Sequence, residues 1–169
     1  MKEKKKKRKI KIAWFSFTGC GGDSSVVFME ILNEKWVEWK NLIELRHFSL
    51  IKKKGLLKNI DIAFIEGAIS NREEESLLKK IRKASKIVVA VGSCAISGAP
   101  SNHRNFFDEK TIEEISHILK RFKYRDKVSP VGDIIKVDAF VPGCPMDEKI
   151  FIETIERYIK NLIEEGKHA

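Results

Sequence analysis

Cys20, Cys94 and Cys144 each sit in a short segment marked by glycine or proline: Thr18-Gly19-Cys20-Gly21-Gly22-Asp23, Gly92-Ser93-Cys94-Ala95, and Val141-Pro142-Gly143-Cys144-Pro145. An odd number of cysteines argues against a framework of paired disulfides and in favour of ligands or reactive thiols. Soft thiolates gathered at one point bind either zinc or an iron–sulfur cluster, and both normally take four protein ligands. The best fourth candidate is Asp23. In Cys20-Gly21-Gly22-Asp23 the two-residue gap of a chelating C-x-x-C is kept, with a carboxylate in place of the second thiolate. The two glycines let the backbone turn tightly enough for both side chains to converge, and the N–H groups of such a loop favour an anionic group. Asp23 has a second reading, as the N-cap of a helix that begins near Ser24. The cysteines have one too, as small buried apolar residues.

Three ligands so far apart in the chain need a scaffold that brings them to one edge. Residues 10–17 form a short apolar run that ends at the Thr-Gly-Cys-Gly-Gly loop and reads as a buried strand. Further strand-length runs cover 43–48, 60–65 and 86–91, the last two rich in β-branched residues, with a fifth around 134–141. Helical periodicity appears over 24–33, 73–84, 111–122 and 147–165. Alternating strands and helices with continuously apolar strands imply an α/β domain, its mainly parallel sheet covered by helices on both faces. In such sheets the functional crevice lies outside the carboxyl ends of the strands, at a topological switch point. Cys20, Cys94 and Cys144 each follow a predicted strand, so all three fall on that edge.

The net charge of +9 looks at first like a signal for nucleic acid. Seven basic residues among the first nine stand against Glu3 alone, a net +6, which leaves +3 for the other 160 residues, spread through mixed-sign helices. That is a solvated surface and not a nucleic-acid stripe. Residues 1–9 read as a flexible basic arm and 10–169 as one domain, a size at which 43% hydrophobic residues supply a real core. The arm and the apolar run before Cys20 imitate a secretory signal with a lipoprotein-type cysteine. Lys11 interrupts the run, and there is no twin-arginine pattern, so a cytoplasmic protein is expected. No apolar run reaches the roughly 18 residues of a transmembrane helix.

The cysteine segments, together with Glu66-Gly67, Gly92-Ser93-Cys94-Ala95-Ile96-Ser97-Gly98 and His103-Arg104-Asn105, occur in an order and context that resembles small subunits of nickel–iron hydrogenases. They also resemble the related 20 kDa cluster-bearing subunit of NADH:quinone oxidoreductase. The resemblance covers roughly residues 10–160. It implies a flavodoxin-like fold and one [4Fe–4S] cluster held by Cys20, Cys94 and Cys144, with Asp23 standing where the family usually has cysteine. It implies as partners a nickel–iron large subunit and flavin- or iron–sulfur-containing electron-transfer subunits, with no catalytic residue on this chain. Gly19-Cys20 without an adjacent cysteine pair favours the hydrogenase branch. The lack of further cysteines favours the one-cluster subunits of NAD-linked or electron-bifurcating enzymes. The rivals are a cluster-bearing subunit of an energy-converting or quinone-reducing complex and a zinc-stabilised binding domain. Glu66 and His103 read as hydrogen-bonded or loop-ordering groups, and Trp14, Trp36 and Trp39 as core or partner-contact residues.

Overall fold

The computed structural model describes residues 8–20, 22–48 and 57–168. Five parallel strands form the central sheet: β1 Ile10–Ser16, β2 Ile43–Phe48, β3 Ile60–Glu66, β5 Ser85–Val91 and β7 Ala139–Val141, in the spatial order β2-β1-β3-β5-β7. Counting these five strands alone, the order is 2-1-3-4-5, that of a flavodoxin-like doubly wound sheet. The expected fold class stands. β3 lies in the middle and every one of its seven residues is buried, which is why its run is apolar without alternation.

Helices cover both faces. On one, α1 Asp23–Glu34 and α6 Glu148–His168 bring Phe28 and Phe151 against Trp14 and Phe64 of the sheet. The Trp14 and Phe28 rings stack at 4.9 Å, an offset aromatic contact that adds to the area buried. On the other, α3 Arg72–Ala84 inserts Leu78 and Ile81, and the one-turn α4 Gly92–Ser97 inserts Ala95. Three helix starts, those of α3, α5 Glu109–Arg121 and α6, carry side-chain caps. Asn71 accepts from Glu74 N–H at 2.8 Å, Asp108 from Thr111 N–H at 2.8 Å ahead of α5, and Asp147 from Ile150 N–H at 2.8 Å ahead of α6. Trp14 and Trp39, the latter in the short α2 Trp36–Trp39, are buried, whereas Trp36 is half exposed.

Three details differ from the sequence reading. The expected strand over 134–141 is confined to Ala139–Val141; a 3-10 turn at Val131–Asp133 precedes it, and Val131 and Ile135, four apart, both turn into the second core. The apolar residues there serve a packed turn. A second, two-stranded antiparallel sheet, β4 Ile69–Asn71 with β6 Tyr124–Ser129, was not anticipated; half of β6 is charged and it buries Val128 alone, so it carries no strand periodicity. Finally, Cys94 lies in a helix, α4, that starts directly after β5 and is not among the helices expected from the sequence.

Of the expected arm, residues 1–7 lie outside the described residues. Arg8 pairs with the buried Asp61 at 2.6 Å, and Lys11 N–H donates to the same carboxylate at 2.9 Å. No helix among the described residues is long and apolar enough to cross a membrane.

Candidate metal centre

The ends of β1, β3, β5 and β7 wall a cavity of ≈ 80 Å³ at the carboxyl edge of the sheet, and Cys20, Asp23, Cys94 and Cys144 all line it. The structure therefore brings the four sequence-derived candidates to one place. All three thiols are free; Cys20 and Cys144 are exposed and Cys94 is half buried. Among the described residues no three His, Cys, Asp or Glu side chains are close enough to hold a single metal ion.

Backbone contacts tie the three cysteine segments together. Thr18 and Ala68 exchange two N–H···O bonds, at 3.0 and 2.7 Å, which fasten the segment before Cys20 to the end of β3. Gly67 makes that approach possible: its φ is +87°, and a Cβ there would lie 2.8 Å from the Phe17 carbonyl carbon. Across the cavity, Ser93 N–H and Ser93 Oγ both donate to Gly143 O, at 2.8 and 3.1 Å, joining the segments of Cys94 and Cys144. Ser24 Oγ accepts from Met146 N–H at 3.1 Å and joins the start of α1 to the turn after Cys144.

Asp23 is the first residue of α1, and Gly22 occupies the cap position with φ 131°. The alternative reading of Asp23 as the N-cap is thereby corrected: the glycine turn carries the chain into the helix, and no described backbone N–H donates to the Asp23 carboxylate. Asp23 is exposed and lines the cavity. A carboxylate in the first helical turn is stabilised by the helix dipole, so the negative charge is tolerated there without a capping bond.

Two carboxylates set the shape of the site. Glu66, buried at the end of β3, receives Trp14 Nε1 at 3.2 Å, Ser16 Oγ at 2.9 Å and Ser25 Oγ at 2.6 Å, all on Oε2. This bears out the expectation of a hydrogen-bonded carboxylate. Glu74 receives Thr18 Oγ1 at 2.9 Å and Ser70 N–H at 2.7 Å, a support that sequence reasoning missed. Its only sequence signal was a position in the first turn of a predicted helix.

The His103-Arg104-Asn105 motif orders the chain after α4. Asn105 exchanges two bonds with Val128, Nδ2 to O and N–H to Oδ1, both 2.8 Å, and Arg104 Nη1 donates to Arg125 O at 2.7 Å. His103 is exposed and its ring meets Phe107 edge-on at 5.6 Å. The segment also places Ser101 Oγ 3.2 Å from Cys94 Sγ. A second groove, ≈ 860 Å³, lies away from the thiols and is lined by residues of α3 and β6, among them Arg72, Glu75, Lys79, Arg125, Asp126 and Lys127.

Residues 20–158 match the family described as NADH ubiquinone oxidoreductase, 20 Kd subunit. The chain is 26% identical to the NAD-reducing hydrogenase HoxS subunit delta of Cupriavidus necator, over 88% of this chain and 78% of that one. It is 29% identical to a subunit of the F420-non-reducing hydrogenase of Methanocaldococcus jannaschii, over 86% of this chain and 54% of that one. The chain spans about half the length of several curated relatives it matches. Among solved structures, it superposes on a chain of an NAD+-reducing [NiFe]-hydrogenase in the H2-reduced state with a TM-score of 0.76 and 26% identity, covering 91% of this chain and 93% of that one.

Proposed function

The chain belongs to the family of the 20 kDa subunit of NADH ubiquinone oxidoreductase, and from that premise we propose that it is the electron-transferring small subunit of a cytoplasmic nickel–iron hydrogenase, with one [4Fe–4S] cluster held by Cys20, Cys94, Cys144 and Asp23. The observation that carries this reading is the convergence of three free thiols and one carboxylate, from three separate strand ends, on a single cavity. When bound, such a cluster takes up and releases one electron at a time.

Three cysteines and one carboxylate are a donor set that either an iron–sulfur cluster or a zinc ion could take, and the likeness to hydrogenase subunits favours the cluster. The remaining residues of the site bind and orient. Glu66 and Glu74 hold the segment that bears Cys20, and the Ser93–Gly143 bonds keep Cys94 and Cys144 in register. The hydrogen chemistry belongs to a partner chain, a nickel–iron large subunit, and electrons pass on to a flavin- or iron–sulfur-bearing module. The relatives named as hydrogenase subunits support this assignment over a quinone-reducing one, although the family's own description keeps the latter as the runner-up.

Affinity purification of the tagged full chain from anaerobically grown cells tests the reading. The expected result is a co-purifying large subunit with nickel-binding C-x-x-C pairs, hydrogen turnover by the complex, and none by the separated chain. Hydrogen turnover by this chain alone, or a quinone-reducing complex without nickel, would contradict it.

A further inference from the structure

Cys94 differs from the other two cysteines in having a side-chain partner. Ser101 Oγ lies 3.2 Å from its sulfur, while no described side chain bonds to Cys20 or Cys144 Sγ. The contact is built, because the segment that carries Ser101 is fastened on both sides. Upstream, Gly98 ends α4 in a left-handed conformation and its N–H donates to Cys94 O at 2.9 Å, while Asn102 N–H donates back to Gly98 O at 2.8 Å. Downstream, Asn105 and Arg104 are bonded to the backbone of β6 at Val128 and Arg125. β6 is itself paired with β4, next to the end of β3. Ser101 is thus part of a strap with one end on the helix of Cys94 and the other on a strand, an arrangement that holds a polar group in a fixed direction.

We propose that Ser101 donates a hydrogen bond to the Cys94 sulfur when that sulfur is a cluster ligand, and that this bond raises the cluster's reduction potential; the proposal rests on the cluster reading above. The direction of the bond follows from the chemistry. A ligating thiolate has no proton, so the hydroxyl is the donor. A hydrogen bond to a ligand sulfur draws negative charge from it, and the stabilisation is greater in the reduced state, which carries one more negative charge. No covalent bond forms or breaks and the proton stays on Ser101; the two states differ by one electron. Because Cys94 is half buried, water competes less for its sulfur than for those of the exposed Cys20 and Cys144.

A Ser101 that merely fills the loop would leave the potential untouched, so the potential is the discriminating measurement. The full chain, purified anaerobically as wild type, Ser101→Ala, Ser101→Thr and Ser101→Val, is titrated reductively and followed by electron paramagnetic resonance, with iron and sulfide assayed in each sample. Thr and Val share a shape and differ in the hydroxyl, so this pair decides the matter should the Ala variant lose iron. The expected result is a lower midpoint potential in Ser101→Ala and Ser101→Val, with Ser101→Thr at or near the wild-type value. Unchanged potentials in the hydroxyl-free variants that retain their cluster would overturn the role of Ser101 and leave the cluster reading intact. A wild-type chain without iron and sulfide would instead overturn the cluster reading, and this proposal with it.

Discussion

Ser25 Oγ donates to Glu66 Oε2 at 2.6 Å, and Ser16 Oγ donates to the same oxygen at 2.9 Å. Ser16 ends β1 and Ser25 lies in the first turn of α1, so one carboxylate holds both ends of the segment that carries Cys20 and Asp23. Removing it leaves three donors, including the fully buried Trp14, without their acceptor. Glu66→Ala is expected to destabilise the fold by about 3 kcal/mol, since charge-assisted bonds contribute about 1.5–3 kcal/mol and orphaned buried donors add to the loss. Glu66→Gln is expected to lose less, because its carbonyl oxygen still accepts. Urea midpoints of the two variants check this; equal midpoints for wild type and Glu66→Ala would show that the carboxylate does not hold the segment.

Gly67 is a position where the backbone leaves no room for a side chain. Its positive φ and the 2.8 Å approach of Phe17 both exclude a side chain. Gly67→Ala is expected to cost at least about 2 kcal/mol, from the strained conformation together with the displacement of the 17–18 segment. Thermal unfolding reads the loss. A melting temperature at the wild-type value would mean that the segment shifts freely.

Asp138 supplies a pH dependence. Desolvation pushes its carboxyl up, but Val88 N–H at 2.8 Å and the Arg82 guanidinium at 2.5 Å outweigh it and hold the group below its ordinary value. A depressed folded-state value means stability that is present in full above the unfolded value of 3.8 and is lost as the pH falls through the folded value. Asp138→Asn is therefore expected to be less stable than wild type at neutral pH, with the gap narrowing in acid. Denaturant midpoints measured from about pH 7 down to about pH 3 test the sign; a gap that widens in acid would contradict it.

Asp23 separates a ligand from a bystander. A carboxylate is a harder donor than a thiolate and bonds less covalently to iron. Asp23→Cys is expected to keep the cluster while changing its potential or paramagnetic signal, and Asp23→Ala to expose one iron, which is lost or taken by an outside ligand. An unchanged spectrum, potential and iron count in both variants would remove Asp23 from the ligand set and leave the three-cysteine site standing.

What the sequence made legible follows from how each element is buried. β1, β3 and β5 were found because strands covered on both faces are largely continuous apolar runs, and β2, at the edge of the sheet, was found from Ile43, Leu45 and Phe48 despite Glu44, Arg46 and His47. The convergence of Cys20, Cys94 and Cys144 followed from the rule that sites lie at strand carboxyl ends, and the cavity is lined by all three. β6 stayed hidden because three of its six residues are charged and only Val128 is buried, and β7 was overestimated because Ile134 and Ile135 belong to the turn before it. The supports of the site were also illegible. Glu66 and Ser25 are 41 residues apart and Thr18 and Glu74 are 56 apart, separations that only the folded sheet closes. The gap between Cys94 and Ser101 is seven residues, but the bond depends on a loop held by β6, the strand with no sequence signal.

Elemental content separates an iron–sulfur site from a zinc site: iron, acid-labile sulfide and zinc per chain are measured in anaerobically purified wild type and in Cys94→Ala and Cys144→Ala. Four cysteine-or-aspartate corners around one cubane predict about four irons and about four sulfides per wild-type chain, a brown protein, and loss or degradation of the cluster in both variants. Stoichiometric zinc without sulfide in the wild type, or full iron and sulfide in both cysteine variants, would contradict the account.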